Sequence, residues 1–156
     1  MKLYMKQKVF SFRDKFYVKD EYGDDKYYIE GEIFSFGKKL HICDLAGNEL
    51  ALVSQKVLSF LPKFTVEIGG RTVGEIVKKV TFLKPKYIVN GLGWEVEGDF
   101  FALNYVIRND NRDVVSISKQ WMAWGDTFEL DIDDNENEIL ALAVVLAIDA
   151  VLDSTE

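Results

Sequence analysis

Ile139-Leu-Ala-Leu-Ala-Val-Val-Leu-Ala-Ile-Asp-Ala-Val-Leu152 is apolar at every position except Asp149. A transmembrane helix needs roughly 20 such residues to cross about 30 Å of hydrocarbon. Fourteen residues with an acid among them fall short. A helix lying in a membrane interface carries a strong polar face, and this segment has almost none. A helix that is apolar all round is buried in protein, so the rest of the chain must supply an enclosure.

The preceding residues repeat a pattern suited to building one. Phe10-Ser-Phe-Arg-Asp-Lys-Phe-Tyr-Val18, Phe34-Ser-Phe-Gly-Lys-Lys-Leu-His-Ile42, Leu58-Ser-Phe-Leu-Pro-Lys-Phe-Thr-Val66 and Met122-Ala-Trp-Gly-Asp-Thr-Phe-Glu-Leu130 each place an apolar pair after an aromatic residue and a short break. Weaker copies end in Tyr87-Ile-Val89 and Tyr105-Val-Ile107. The pairs begin at Phe16, Leu40, Phe64, Tyr87, Tyr105 and Phe128, with separations of 24, 24, 23, 18 and 23. A unit of this length holds two strands and two turns. Turn chemistry sits inside the units at Tyr22-Gly-Asp-Asp25, Leu45-Ala-Gly-Asn48, Gly69-Gly70, Asn90-Gly-Leu-Gly93 and Asn109-Asp-Asn-Arg112. Gly74 reads as a bulge position. The sixth unit runs after Ile132 into acids and the apolar helix.

Eleven strands from the units and one from Lys2 to Lys8 predict a mainly β fold of twelve antiparallel strands. A barrel of more than eight strands leaves a lumen, and the apolar helix is the available filling. The expected architecture is a closed barrel of six hairpin-like repeats around a central C-terminal helix, with residues 1–156 as one domain. Asn135 and Glu138 have the spacing of an N-cap and its N3 partner, and the acids from Asp133 to Glu138 suit the positive end of the helix dipole.

Composition narrows the function. A net charge of −7 and a pI near 4.8 oppose general nucleic-acid binding, which needs a basic face. The single cysteine, Cys43, excludes an intramolecular disulfide, and with the single histidine, His41, cannot make the usual structural zinc site. No cofactor or metal is expected. The segment Met1 to Lys8 lacks the apolar stretch and cleavage site of a signal peptide, so residence is expected to be cytoplasmic.

No catalytic constellation emerges. In the alternating strand Leu40-His-Ile-Cys43, His41 and Cys43 share a face but lie nearly 7 Å apart at the usual rise, too far for a thiol–imidazole dyad. Asp131 to Glu138 resembles the opening of a calcium loop, but Glu136 stands where glycine belongs and Leu142 where the bidentate Glu belongs. No carboxylate pair has a distinguishing spacing, and no phosphate-binding glycine loop is present.

Two candidate binding features remain. Arg71, Lys78, Lys79, Lys84 and Lys86 concentrate positive charge around Thr81-Phe-Leu83, suited to a phosphate-bearing ligand or an anionic surface; the simpler reading is an exposed edge whose lysines discourage strand pairing. Trp121 is a candidate partner surface, whereas Trp124 occupies the repeat position of Phe12, Phe36 and Phe60 and reads as packing.

The sequence also resembles the LURP-one-related family, the group called tubby C-terminal-like. The resemblance rests on Met5-Lys-Gln-Lys-Val-Phe-Ser-Phe12, Phe34-Ser-Phe-Gly-Lys-Lys39, Leu58-Ser-Phe-Leu-Pro-Lys63, Trp94-Glu-Val-Glu-Gly-Asp-Phe-Phe101, Ser116-Ile-Ser-Lys-Gln-Trp121, Trp124-Gly-Asp-Thr-Phe-Glu-Leu130 and the helix Ile139 to Leu152. It implies a twelve-stranded barrel around a central helix, as in tubby domains and phospholipid scramblases, and no enzymatic activity. Tubby domains bind phosphoinositide head groups through basic residues, which do not map one by one onto this chain. The expected function is a non-enzymatic binding or scaffold module for an anionic lipid head group or a protein partner. The alternatives are a carrier of a small apolar ligand or a hydrolase with an unrecognised carboxylate pair.

Overall fold

A computed structural model describes residues 1–5, 15–34, 37–57, 60, 63–79, 86–99, 104–122 and 125–154. Twelve strands run β1 (Lys2–Met5), β2 (Lys15–Lys19), β3 (Asp25–Phe34), β4 (Gly37–Asp44), β5 (Glu49–Gln55), β6 (Phe64–Ile68), β7 (Arg71–Lys79), β8 (Lys86–Asn90), β9 (Trp94–Asp99), β10 (Asn104–Asn109), β11 (Arg112–Met122) and β12 (Gly125–Ile132), followed by helix α1 (Glu138–Ser154). Each strand pairs antiparallel with its sequence neighbours, and β1 pairs with β12 to close the barrel. The repeat units correspond to the hairpins β2–β3, β4–β5, β6–β7, β8–β9 and β10–β11, with β12 leading into α1.

Period-two alternation sends one set of side chains into the lumen. Val18, Ile42, Val66, Val89, Ile107 and Leu130, the second residue of each apolar pair, are fully buried. Four hairpins carry a register shift next to the tight turn, at Val18/Lys19, Ile42/Cys43, Val66/Glu67 and Ile107/Arg108. The third leaves Val73 as the extra residue, beside Gly74. Such bulges increase local twist and help a sheet curve closed.

The helix occupies the lumen, with every residue from Ala141 to Leu152 buried. Seventeen residues at about 1.5 Å each give a helix of roughly 25 Å, long enough to run from one mouth to the other. It begins beside β3, where Glu138 accepts a hydrogen bond from the Tyr27 hydroxyl (2.5 Å) and pairs with Lys26 Nζ (2.7 Å). Burial first, then the Glu138 carboxylate, raise the Tyr27 hydroxyl above its ordinary pKa. At the other mouth Lys38 Nζ lies 3.9 Å from Asp153.

The N-cap is Asn137, not the expected Asn135: Leu140 N–H donates to Asn137 Oδ1 at 3.0 Å. Asp133 forms a turn instead, accepting from Asn135 N–H on its side chain and from Glu136 N–H on its backbone. Arg112 then holds both Asp133 and Glu136, so these acids serve the turn and start the helix two residues later. The expected strand from Lys2 to Lys8 is observed as Lys2–Met5, and its last three residues lie outside the described set.

Asp149 is 6% exposed within the apolar helix. Its charge, after burial, is the second cause raising the pKa of the buried Tyr105 hydroxyl on β10. One buried polar group therefore distinguishes the β10 side of a helix that is otherwise apolar all round.

Two substitutions test the packing. Leu146→Ala in α1 opens space in a closed lumen and is expected to cost about 2–5 kcal/mol in chemical denaturation. Gly98→Ala places a Cβ 2.7 Å from Asn104 O and from Tyr105 Cα, at φ +132. It is expected to cost about 1–3 kcal/mol.

Candidate functional site

The two ends of the barrel differ in charge. At the end where α1 starts, the tight turns carry Asp20, Asp24, Asp44 and Asp110, joined by Asp133, Asp134 and Glu136 before the helix. At the end where α1 finishes, the described strand ends and their flanks carry lysines from four hairpins. Lys15 opens β2, Lys38 and Lys39 open β4, Lys56 and Lys63 flank the β5–β6 connection, and Lys78, Lys79 and Lys86 stand at the β7–β8 ends.

Acids stand at this mouth as well, among the described residues Asp99 at the end of β9 and Asp126 near the start of β12. Asp153 reaches Lys38, Glu75 pairs with Lys56 (2.5 Å) and approaches Lys63 (3.9 Å), and Glu95 pairs with Lys86 (3.3 Å). Among the described residues no carboxylate pairs with Lys78 or Lys79. Lys78 shares strand parity with the buried Ile76 and so stands on the lumen side of the rim. Lys79 lies directly across from Lys86, cation opposite cation, an arrangement that destabilises the pair.

Only part of the predicted cluster meets here. Arg71 begins β7 and Lys79 ends it; eight steps at about 3.3 Å put them some 26 Å apart, so Arg71 belongs to the opposite end. Lys84 lies outside the described residues. Trp121 stands on β11 opposite Asp126, and its side chain lies outside the described set, as do Phe12, Phe36 and Trp124.

Lys15, Lys38, Lys39, Lys56 and Lys63 were not singled out from sequence, because closure brings together hairpins distant along the chain. The usable signal was the repeat itself. Lys15, Lys39 and Lys63 each follow the first residue of Phe10-Ser-Phe12, Phe34-Ser-Phe36 or Leu58-Ser-Phe60 by five positions.

A second polar feature lies on the outer wall of β3–β5. His41 sits between two carboxylates: Nε2 donates to Glu32 Oε2 at 2.5 Å, and Nδ1 donates to Glu49 Oε1. Neutral imidazole has one N–H, so satisfying both acceptors requires the imidazolium. Burial opposes that charge, but hydrogen bonds and Coulomb attraction from Glu49 and Glu32 outweigh it and raise the pKa. The neighbouring Cys43 is buried, and desolvation raises its thiol pKa. A shielded thiol and a histidine engaged at both nitrogens do not form a nucleophile–base pair. These groups line an open groove of about 580 Å³ with Tyr28 and Glu30. Among the described residues no cluster of three or more His, Cys, Asp or Glu side chains has metal-ligating geometry.

The LURP-one-related family profile matches residues 1–149. The chain belongs to the LURP-one-related family. It is 38% identical over 156 residues to the uncharacterised protein YxjI of Bacillus subtilis (strain 168), covering all of this chain and 96% of that protein. A crystal structure of an Arabidopsis thaliana protein superposes with a TM-score of 0.68 at 14% identity, covering 97% of this chain and 91% of that one. At that identity the likeness establishes the fold. No described helix of this family member is long and apolar enough to cross a membrane.

The His41 arrangement has a pH signature. A folded pKa above the ordinary 6.5 means that this contribution to stability is complete below about pH 6.5 and lost as pH rises through the folded value. An NMR titration of the sole histidine should give a midpoint above 6.5. His41→Gln should remove the corresponding decline in stability on the alkaline side.

Proposed function

We propose that this protein is a non-enzymatic binding module whose lysine-rich mouth engages the anionic head groups of phospholipids, acting at the cytoplasmic face of a membrane. The observation that carries this reading is the segregation of charge: a chain of net charge −7 gathers lysines from four hairpins around one barrel mouth. A lysine ammonium is a compact point charge suited to phosphate oxygens. An anionic leaflet attracts each nearby lysine by about 1 kcal/mol, within a Debye length.

The sites that point toward other activities are already engaged. The helix holds the lumen that an apolar cargo would need. Glu32 and Glu49 are bonded to His41, and Glu75 is held by lysines, which suits structural carboxylates better than a free acid–base pair.

Co-sedimentation with vesicles tests the reading. The protein should pellet with phosphatidylglycerol-containing vesicles, fail to pellet with phosphatidylcholine alone, and lose binding as salt rises. Replacing Lys78, Lys79 and Lys86 with Glu should lower partitioning by roughly 100-fold or more, from about 1 kcal/mol per lysine. Unchanged binding of the triple variant would remove the mouth from the account.

A further inference from the structure

The same mouth carries exposed apolar side chains. Ile33 is 48% exposed, Val57 50%, and Phe60 is fully exposed. Large side chains of this kind, scattered singly, are ordinary on a protein surface. Here Val57 and Ile33 stand at adjoining strand ends, and Phe60 follows Val57 by three residues. Ile33 pairs across the β3–β4 hairpin with Lys38, and its neighbour Phe34 pairs with Gly37. A Cβ at Gly37 would stand 2.7 Å from Val57 Cγ2, so Val57 packs directly over that hairpin end. Lys56 N–H donates to Lys63 O at 2.9 Å, on either side of Phe60 in the sequence.

Lysines flank the apolar groups, with Asp153 beside Lys38 and Glu75 shared by Lys56 and Lys63. Lys38 is across from Ile33, Lys39 follows it, and Lys56 and Lys63 stand at the two feet of the Phe60 connection. Ile33 shares strand parity with the buried Ile29 and Lys38 with the buried Leu40, so both stand on the lumen side of the rim.

We infer that this edge of the mouth is a membrane-insertion face: Phe60, Val57 and Ile33 enter the boundary between head groups and acyl chains of an anionic bilayer, while the lysines around them hold the phosphates. The partner is a lipid surface because exposed apolar side chains and lysine ammonium groups share one edge of the mouth. Apolar tips belong below the phosphate plane, and long lysine stems allow ammonium groups to reach it while their methylenes remain among apolar groups. A soluble phosphate ligand would use the lysines and leave Phe60 in water. The barrel then meets the membrane with the end that holds the C-terminus of α1, and its acidic turns face away.

This inference rests on the head-group reading above, and one experiment separates the two. A polarity-sensitive nitrobenzoxadiazole probe is attached to Phe60→Cys in a Cys43→Ser background, and separately to Tyr22→Cys at the opposite end, where Tyr22 is 84% exposed. Unchanged circular dichroism of each labelled protein confirms folding. With phosphatidylglycerol vesicles, the probe at 60 should brighten severalfold and shift to the blue, while the probe at 22 remains unchanged. Sedimentation with the vesicles but no brightening at 60 would overturn insertion and leave head-group binding standing. Failure to sediment at all would overturn both. Phe60→Ser should retain salt-sensitive binding but lose the fraction that persists at high salt; an unaltered high-salt fraction would also overturn insertion.

Discussion

The whole structure depends on removing one helix from water on all sides. Ala141 to Leu152 has no face to leave exposed, and a packed sheet would cover only one side of it. A closed barrel covers all sides and also leaves no unpaired strand edge, because β1 and β12 satisfy each other. The helix in turn fills a lumen that twelve strands could not fill with their own side chains. Helix and barrel are therefore conditions for each other, which explains why burial is continuous along α1 while the strands alternate.

Much of this was legible in the sequence because the governing signals are periodic. The second apolar residue of each unit, from Val18 to Leu130, is fully buried, as period-two alternation on a one-sided wall requires. The helix boundaries were legible to within two residues. Its cap was not: Asn135 and Asn137 are both capping residues by type, and the choice depends on Arg112, a distant side chain that recruits Asp133 and Glu136 into the preceding turn.

The binding surfaces were less legible, for a related reason. Linear proximity grouped Arg71 with Lys78, although an extended strand separates its ends. Conversely, Lys15, Lys39 and Lys63 are far apart in sequence and are brought to one mouth by closure. His41, Glu32 and Glu49 meet only through the registers of β3–β4 and β4–β5, with a bulge after Ile42 shifting Glu49 toward the imidazole's level. Charge on a barrel is organised by end and wall, and neither is visible until the strands are paired.

The central claim is that α1 is the core of the barrel and not an appendage to it. Native-state hydrogen exchange tests it directly. If the helix is enclosed, the amides of Val144 to Ile148 should exchange only through global unfolding, with the same opening free energy as Ile42 and Val66 in the wall. Exchange of those helical amides at a lower free energy, while the strands remain protected, would show that the barrel stands without its helix and would contradict the account.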